Sequence, residues 1–387
     1  MIEIRDKKEC CGCSACMQVC VKKSITMVSD DEGFSYPQIN PDTCVNCGLC
    51  EKICPILHVG EKRMPLNTLA AVNKDVRIQE NSSSGGVFFY LAKHTLGNNG
   101  VVFGAKFDDN WNVVHAYTED IEGIQPFMTS KYVQSSIGSS YYDAKKFLMA
   151  GREVLFTGTP CQIAGLHRYL KKDYLNLTTM DFLCHGVPSP KVWRMYLDEI
   201  VRKSAHRAVA GKNSVLLSLN TIPSIERIKF RDKSDGWQKF RFVLELSEAK
   251  AEGKKNTVLS SYHRDNIYMK GFLNDLYLRP SCHKCKFKRF QSGSDITIAD
   301  YWAIGRVKPE FFDPMGVSMV FIHNNKLKKM LNDSQISTVE TTFEDTLSNN
   351  GLNENVSIHP KREYFFSEID KTKSLTNLIL TKADKSR

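Results

Sequence analysis

Short apolar runs separated by polar turns predict alternating strands and helices along most of the chain after residue 66. Residues 68–72, 100–107 and 113–117 are predicted strands. Residues 87–97 follow a loop of serines and glycines and are predicted as a helix, as are residues 141–149. This order of elements is typical of an α/β body.

Two successive strand–loop–helix units are predicted between residues 153 and 201. Their strands, loops and helices are, in order, 153–156, 157–161 and 162–170, then 179–183, 184–190 and 191–201. Each unit places a cysteine near the junction of strand and loop, Cys161 in the first and Cys184 in the second. Ligands of α/β sheets bind at that edge, so these two cysteines are expected to lie close together if their strands are neighbours.

The pattern changes after residue 202. Residues 228–233 and 240–246 predict an antiparallel hairpin, and residues 317–322 predict an apolar strand. The Lys-rich end, residues 381–387, is expected to be disordered. Together the elements predict an α/β body with a mixed sheet and a C-terminal part that is antiparallel or loop-rich.

Composition narrows the classes of protein. The 387 residues are 42% hydrophobic and 25% charged, and no apolar run has the ~20 residues that a membrane helix needs. The net charge is +10, but the Lys and Arg residues are scattered, which argues against nucleic-acid binding. Thirteen cysteines behind a polar N-terminus without signal-peptide features indicate metal ligation in a reducing, cytoplasmic compartment.

Eight of these cysteines form two copies of one spacing, C-x2-C-x2-C-x3-C. The copies are Cys10, Cys13, Cys16 and Cys20, then Cys44, Cys47, Cys50 and Cys54. Three cysteines of one such run bind one [4Fe–4S] cluster, while the fourth binds the cluster of the other run. Residues 24–28 and 34–39 predict a hairpin between the runs. Residues 1–60 are therefore predicted as an α+β, ferredoxin-like module with two clusters.

Other uses of these cysteines fit less well. A disulfide framework needs an oxidising compartment. Zinc sites favour two separated C-x2-C pairs. Cys11 falls outside the repeated spacing and is interpreted as a spare or packed thiol.

Four further cysteines lie outside this module: Cys161, Cys184, Cys282 and Cys285. Four thiolates suit either a third [4Fe–4S] cluster or a zinc ion. They could also be unrelated buried thiols with one incidental pair. The spacing leaves these three interpretations open.

The loop of residues 81–86 has two interpretations. Its position before a helix is suited to binding phosphate or another anion. Alternatively, Ser83 or Ser84 caps the helix.

Several motifs in a fixed order carry a family resemblance. They are Ser83-Ser84-Gly85-Gly86, Gly158-Thr159-Pro160-Cys161-Gln162, Cys184-His185-Gly186-Val187-Pro188-Ser189, Cys282-x2-Cys285-x-Phe287, and Ser294-Asp295-Ile296 leading to Asp300-Tyr301-Trp302. Over about residues 66–365 the chain resembles the beta subunit of coenzyme F420-reducing hydrogenases and dehydrogenases. The plant hydroxymethyl-chlorophyll reductase is similar to the same family. The implied domains are a two-cluster ferredoxin (1–60), the two parts of the family body (66–150 and 151–365) and a polar tail (366–387).

The resemblance implies FAD beside a [4Fe–4S] cluster in the body, with the four body cysteines as ligands. Residues 130–135 match a stretch that borders the flavin. The cofactor-binding residues expected on this basis are Ser83, Ser84, Gly85, Gly86, Lys131, Tyr132, Gln134, Ser135, Thr157, Gly158 and Thr159. Main-chain N–H groups of the 84–86 and 157–159 loops are the expected donors to flavin oxygens.

The expected function is an iron–sulfur flavoprotein oxidoreductase. Electrons would pass between a donor, the two N-terminal clusters, the body cluster, FAD and an unidentified substrate or deazaflavin-like coenzyme. The expected partner is a redox protein, either a ferredoxin or an oxidoreductase subunit. The alternative is a non-catalytic subunit that relays electrons between partner proteins. No residue is assigned as a general acid.

Overall fold

The structure is a computed structural model, and it describes residues 2–210, 223–250, 253–331, 333–347 and 350–384. The strands are β1 (Ile25–Ser29), β2 (Ser35–Ile39), β3 (Asn67–Asn73), β4 (Val101–Phe107), β5 (Val113–Thr118), β6 (Val154–Thr157), β7 (Leu177–Phe182), β8 (Ser224–Asp232), β9 (Arg241–Lys250), β10 (Gly253–Tyr262), β11 (Ile296–Asp300), β12 (Ser318–Ile322) and β13 (Ile336–Thr341). The helices are α1 (Ala15–Val19), α2 (Leu49–Lys52), α3 (Val76–Glu80), α4 (Val87–Gly97), α5 (Ser140–Met149), α6 (Pro160–Leu170), α7 (Pro190–Ala210), α8 (Ile267–Leu273), α9 (Ile304–Val307), α10 (Asn325–Met330), α11 (Asn350–Asn353), α12 (Arg362–Glu368) and α13 (Leu375–Lys382).

An eight-stranded mixed sheet forms the body, in the order β13-β3-β12-β11-β7-β6-β4-β5. The four strands β11, β7, β6 and β4 pair in parallel, and each of the other strands pairs antiparallel with its neighbours. The predicted mixed α/β body is confirmed. Because β6 and β7 are parallel neighbours, their carboxyl ends lie side by side at one edge, as the positions of Cys161 and Cys184 require.

Alternating side chains in the central strands cover the two faces of this sheet. Val101 and Phe103 of β4 pack with α5, α6 and buried residues of the N-terminal module, including Cys13. Val102 of β4 faces the other side, where it packs with α4 and with Val320 of β12. The N-terminal module therefore shares one apolar core with one face of the sheet.

The predicted hairpin between the two cysteine runs is confirmed. β1 and β2 pair antiparallel, from Ile25 opposite Ile39 to Ser29 opposite Ser35. Phe34, immediately before β2, is completely buried.

By its internal contacts the chain divides into two compact units. The first contains residues 1–30, 34–187 and 279–356, with both cysteine runs and the eight-stranded sheet. The second contains residues 31–33, 188–278 and 357–387, with a three-stranded antiparallel sheet of β8, β9 and β10. Its core includes Trp193, which packs against Phe230 and Tyr268 with ring centroids 5.0 Å apart in both pairs.

Several element predictions need correction. Helix α6 begins at Pro160, because proline suits the first helical position, so Cys161 lies in the first helical turn and not in a loop. The predicted 228–246 hairpin is part of a three-stranded sheet with β10, and β13 was missed. Disorder from residue 381 is wrong for Thr381 and Lys382, which end α13, since Leu375 and Ile379 bury its apolar side. Residues 385–387 lie outside the described residues.

None of the helices within the described ranges is long and apolar enough to cross a membrane.

Candidate metal centres and the adjoining polar loops

The cysteines of the two N-terminal runs lie in and around the apolar core that the module shares with the sheet. Cys13, Cys16, Cys50 and Cys54 are buried, whereas Cys47 is exposed. Burial, followed by the neighbouring thiols of Cys10 and Cys54, raises the pKa of Cys16 to about 12. The approach of Cys54 to the first run is the crossed arrangement expected of two interleaved cluster motifs.

Main-chain N–H groups approach two of these sulfurs. The N–H of Ile2 donates to Cys50 Sγ (3.4 Å) and that of Ser24 donates to Cys20 Sγ (3.3 Å). Hydrogen bonds of this kind stabilise thiolates and raise the reduction potential of a bound cluster. The arrangement suits iron–sulfur ligation better than a set of unpaired structural thiols.

The four body cysteines come together in one cavity of unit 1, with about 530 Å³ of space free of protein atoms, part of it open to solvent. Cys161 comes from the first turn of α6 and Cys184 from the residues just after β7. Cys282 lies in a 3₁₀ turn, Pro280–Lys284, and Cys285 follows it. Three segments distant in sequence thus contribute to one site, which the interpretation as unrelated thiols does not predict.

Cys11 also lines this cavity. The residue is 7% exposed, and its thiol lies beside those of Cys13 and Cys161. The neighbouring thiol of Cys11, followed by burial, raises the pKa of Cys161 well above its usual value. The thiol outside the repeated spacing is therefore packed between the first run and the body cavity.

The charge distribution around the cavity suits an anionic occupant. Arg279, Lys286 and Lys288 line it, and Lys288 Nζ donates to the carbonyl of Cys184. The N–H of Val187 donates to Cys282 Sγ (3.4 Å). Burial raises the pKa of Cys282 to about 12, so this thiol needs a metal to become a thiolate at neutral pH.

A cluster and a single ion need different arrangements of the four thiols. Among the described residues, no three His, Cys, Asp or Glu side chains converge on a position for one metal ion. Zinc requires four donors around a single point, whereas a [4Fe–4S] cube binds each thiolate at a different iron. Four cysteines that line one cavity are compatible with the cube.

A buried arginine joins the first cysteine run to this cavity. The guanidinium of Arg279 donates to the carbonyl of Cys10 (2.8 Å) and to Gln134 Oε1 (3.0 Å). Gln134 Nε2 in turn donates to the carbonyl of Cys11 (3.1 Å). No sequence signal indicated this role, because an arginine three residues before a cysteine pair belongs to no recognised spacing.

The 81–86 loop and the 130–135 segment meet near the carboxyl edge of the sheet. Ser83 Oγ accepts hydrogen bonds from the N–H (2.8 Å) and the hydroxyl (2.9 Å) of Ser130. Lys131 Nζ donates to the carbonyls of Pro126 (2.5 Å) and Thr129 (2.8 Å). Burial lowers the pKa of Lys131 to about 7, so a neighbouring anion would favour its charged form.

The N-capping interpretation of Ser83 and Ser84 is wrong. Gly86, with φ +81°, occupies the N-cap of α4, and no side chain caps the helix. Ser84 Oγ instead donates to the carbonyl of Val317 (2.9 Å). The serines connect neighbouring segments because the glycine conformation turns the chain into the helix before they can reach its first N–H groups.

Several expected main-chain donors already have partners. Gly85 N–H donates to Ser318 Oγ (3.0 Å). Gly158 N–H donates to the carbonyl of Met180 (3.1 Å), and Thr159 N–H donates to Gln162 Oε1 (2.9 Å). A flavin contact from these three groups requires replacing those bonds.

The remaining predicted flavin contacts lie close to these loops. Ser135 Oγ accepts from Gln162 Nε2 (2.9 Å), and Thr157 Oγ1 donates to the carbonyl of Phe103 (2.9 Å). Tyr132 is half-buried. His115 is not among the predicted site residues, although its Nε2 lies 3.0 Å from the carbonyl of Thr157. The one sequence signal for this residue is a histidine in an otherwise apolar strand. Burial lowers the pKa of His115 to about 4.

Comparisons with known proteins match two parts of the chain. A family model that describes the C terminus of the beta subunit of coenzyme F420 hydrogenase/dehydrogenase matches residues 151–345. A second model, the 4Fe-4S dicluster domain, matches residues 9–56. An uncharacterized polyferredoxin-like protein of Methanocaldococcus jannaschii is 32% identical over 66 residues, which cover 15% of this chain. The match spans only 39% of that relative.

The structure is similar to a chain of the F420-reducing [NiFe] hydrogenase complex from Methanosarcina barkeri, determined with xenon derivatization. The TM-score is 0.44 and the sequence identity is 17%. The similarity covers 85% of this chain and 94% of that one.

Proposed function

The chain belongs to the coenzyme F420 hydrogenase/dehydrogenase beta-subunit family and carries a 4Fe-4S dicluster domain at its N-terminus; from this premise we propose that it is an iron–sulfur flavoprotein oxidoreductase. It would pass electrons between [4Fe–4S] clusters and FAD, and so reduce or oxidise a small substrate or a deazaflavin-like coenzyme. The observation that carries the proposal is the single cavity lined by Cys161, Cys184, Cys282 and Cys285.

This cavity is suited to a third cluster close to the N-terminal ones. Cys11 lines it, and its thiol lies beside those of Cys13, a ligand candidate of the first N-terminal cluster, and of Cys161. Electron transfer needs short separations, and here a single intervening thiol separates the two ligand sets. The basic side chains of Lys286 and Lys288 offset the negative charge of a thiolate-ligated cluster.

The polar loops beside the sheet edge are the proposed flavin site. The Ser83–Ser130 contact holds the two loops together, and Lys131 adds a positive charge suited to a phosphate or to an electron-rich ring. Iron–sulfur clusters transfer single electrons, and a flavin links such steps to two-electron chemistry. The role proposed for the chain's own residues is to orient this group at the carboxyl edge.

The decisive experiment is anaerobic purification with iron, sulfide and flavin quantified. We expect about twelve irons and about one FAD per chain, because three cubes bind four irons each. Lys131→Met should weaken FAD binding about tenfold, the loss of one charged contact to a phosphate. Lys146→Met, at an exposed position of α5, is the matched control and should not. Protein with eight irons and no flavin would contradict the proposal.

The family description as a beta subunit supports a partner protein, namely a ferredoxin or another oxidoreductase subunit. The same description also fits the second candidate function, a non-catalytic subunit that relays electrons between partner proteins. Purified protein that reduces a small acceptor by itself favours the enzyme. Protein that turns over only in a stable complex with a second subunit favours the relay.

A further inference from the structure

We propose that Arg279, held by Gln134, is a positioning residue that sets the reduction potentials of two centres. The first N-terminal centre is the one bound by the cysteine run that begins at Cys10, and the body centre is the one bound by the four body cysteines. We call the side chains of Arg279 and Gln134 the Arg279 clamp. The half of the inference that concerns the body centre rests on the function proposed above. The half that concerns the N-terminal centre rests only on the dicluster domain.

Arg279 is buried to a degree that is rare for arginine, with 1% of its surface exposed. Its Nε donates to the carbonyl of Cys10 (2.8 Å), Nη1 to Gln134 Oε1 (3.0 Å) and Nη2 to the carbonyl of Ser35 (3.0 Å). The guanidinium also stacks over Tyr36, 4.4 Å from the ring centroid. Each edge of the planar fork therefore has a partner from the N-terminal module or from Gln134.

The partners of this cation are all uncharged oxygens and rings. Within the described part of the chain, Arg279 forms no ion pair with a carboxylate. A buried charge without a counter-ion is strongly destabilising. The anions that would balance it are the thiolates that form when Cys10 and Cys282 bind iron, since Arg279 lies beside Cys10 and lines the same cavity as Cys282.

The clamp also fixes the first cysteine run in place. Gln134 Nε2 donates to the carbonyl of Cys11, and Arg279 donates to the carbonyl of Cys10. The next residue, Gly12, has φ +70°, and a Cβ there would lie 2.8 Å from Arg279 Nη1 and 2.9 Å from Gln134 Nε2. A side chain at residue 12 would therefore have to displace the ends of both clamp side chains.

A fixed positive charge beside a one-electron centre favours its reduced, more negative form. Arg279 lies beside both ligand sets, so its charge should raise both potentials. When one of the two centres is reduced or lost, the effect of the Arg279 charge on the other centre should therefore change.

The test is an EPR-monitored redox titration of the anaerobically purified full-length protein, with iron counted on the same sample. Arg279→Gln removes the charge, and Arg279→Lys keeps it while losing the fork. Arg152→Gln is the matched control, because Arg152 also donates to a main-chain carbonyl (Asn99, 2.9 Å) and lies over a ring (Phe147, 5.2 Å) but is paired with Glu119.

We expect Arg279→Gln to lower the midpoint of the first N-terminal centre and that of the body centre. The expected change is about tenfold in the reduced-to-oxidised ratio at a fixed potential, or ~59 mV for a one-electron couple. Arg279→Lys should keep the midpoint potentials of both centres close to those of the wild type, but this variant should bind less iron. The titration of Arg152→Gln should overlay that of the wild type.

Unchanged midpoints in fully loaded Arg279→Gln overturn the inference. If that variant does not load iron, Gln134→Ala decides, because it releases the guanidinium without removing it. A midpoint shift in the same direction then supports the clamp, and an unshifted titration overturns it. A wild type with only eight irons refutes the proposed body cluster, yet the N-terminal midpoints still test the role of Arg279.

Discussion

The two cysteine sets of this protein are built in opposite ways. The N-terminal set occupies two compact runs, Cys10–Cys20 and Cys44–Cys54, each with its ligand spacing written in consecutive residues. The body set combines Cys161 and Cys184 with the pair Cys282 and Cys285, which lies more than ninety residues further along the chain. The difference shows that local spacing can specify a cluster loop, whereas the body site exists only once the sheet has formed.

The two sets also differ in what supports them. The N-terminal runs lie around the apolar core that the module shares with the sheet, next to the β1–β2 hairpin. The body cysteines are positioned by the ends of two parallel strands and by a 3₁₀ turn. Loss of a body cysteine should therefore affect the body centre alone, whereas loss of an N-terminal cysteine should affect the linked pair.

The largest effect should come from removing a body cysteine. Cys161→Ser or Cys285→Ser should lower the iron content from about twelve to about eight per chain, because a [4Fe–4S] cube with an incomplete ligand set is lost as a unit. Iron and sulfide analysis with EPR of the reduced protein measures this change. The N-terminal signals should remain.

Cys11→Ser is the matched control for this experiment, since Cys11 lines the same cavity but lies outside the repeated spacing. It should keep about twelve irons. Loss of about four irons from Cys11→Ser alone would make it a ligand and overturn the assignment of the four body cysteines.

The next effect should appear at the clamp. Gly12→Ala should cost about 3 kcal/mol in the free energy of unfolding, because it adds strain at φ +70° and overpacks the site against Arg279 and Gln134. Gly48→Ala has a similar φ of +72° but no heavy atom within 4 Å of the added Cβ, so it should cost only the strain of about 1 kcal/mol. Chemical denaturation of the anaerobic protein compares them, and equal losses would refute the close packing.

A smaller effect is expected on how the stability of the protein depends on pH, and it comes from the strand that leads to Cys184. Asp181 of β7 is 2% exposed, and burial raises its pKa to about 7, although Thr297 Oγ1 donates to its carboxylate (2.5 Å). The folded protein therefore holds this proton more tightly than the unfolded chain does, and the stability it gives is lost as pH rises from about 4 to about 7.

Asp181→Asn removes this pH-dependent loss of stability, because asparagine does not titrate. The variant should gain about 2 kcal/mol over the wild type between pH 5 and pH 7, measured as the difference in unfolding free energy at each pH. Asp109→Asn, at an exposed turn, should give a constant difference. A constant difference for Asp181→Asn as well would show that this carboxylate is ionised at all these pH values.

The smallest effect should come from the contact of α6 with the first cysteine run. A Cβ at Gly165 would lie 2.8 Å from Tyr141 Oη and 2.9 Å from Cys13 Cβ. Gly165→Ala should therefore destabilise the protein by about 1 kcal/mol, although alanine in a helix normally stabilises. A rise in the melting temperature would show that the module does not rest on α6.

Much of the site could be predicted from individual residues. The repeated spacing indicated the dicluster module, and the cysteines near the ends of β6 and β7 were expected to meet. The contacts of Arg279 and His115 were not predicted, and Gln134 was predicted only as a flavin contact, because the contacts of all three involve residues that are distant in sequence. The two serines before α4 were misassigned as possible caps, because the local pattern could not show that Gly86 takes the N-cap.

The sequence alone determined the ligand types, the interleaved N-terminal spacing and the alternation that makes strands, because these depend on neighbouring residues and on backbone geometry. Only the tertiary structure decided that four scattered cysteines share one cavity with Cys11, and that a buried arginine lies between the two sets. The physical reason is that burial, charge compensation and cavity shape depend on the neighbours that a side chain gains on folding.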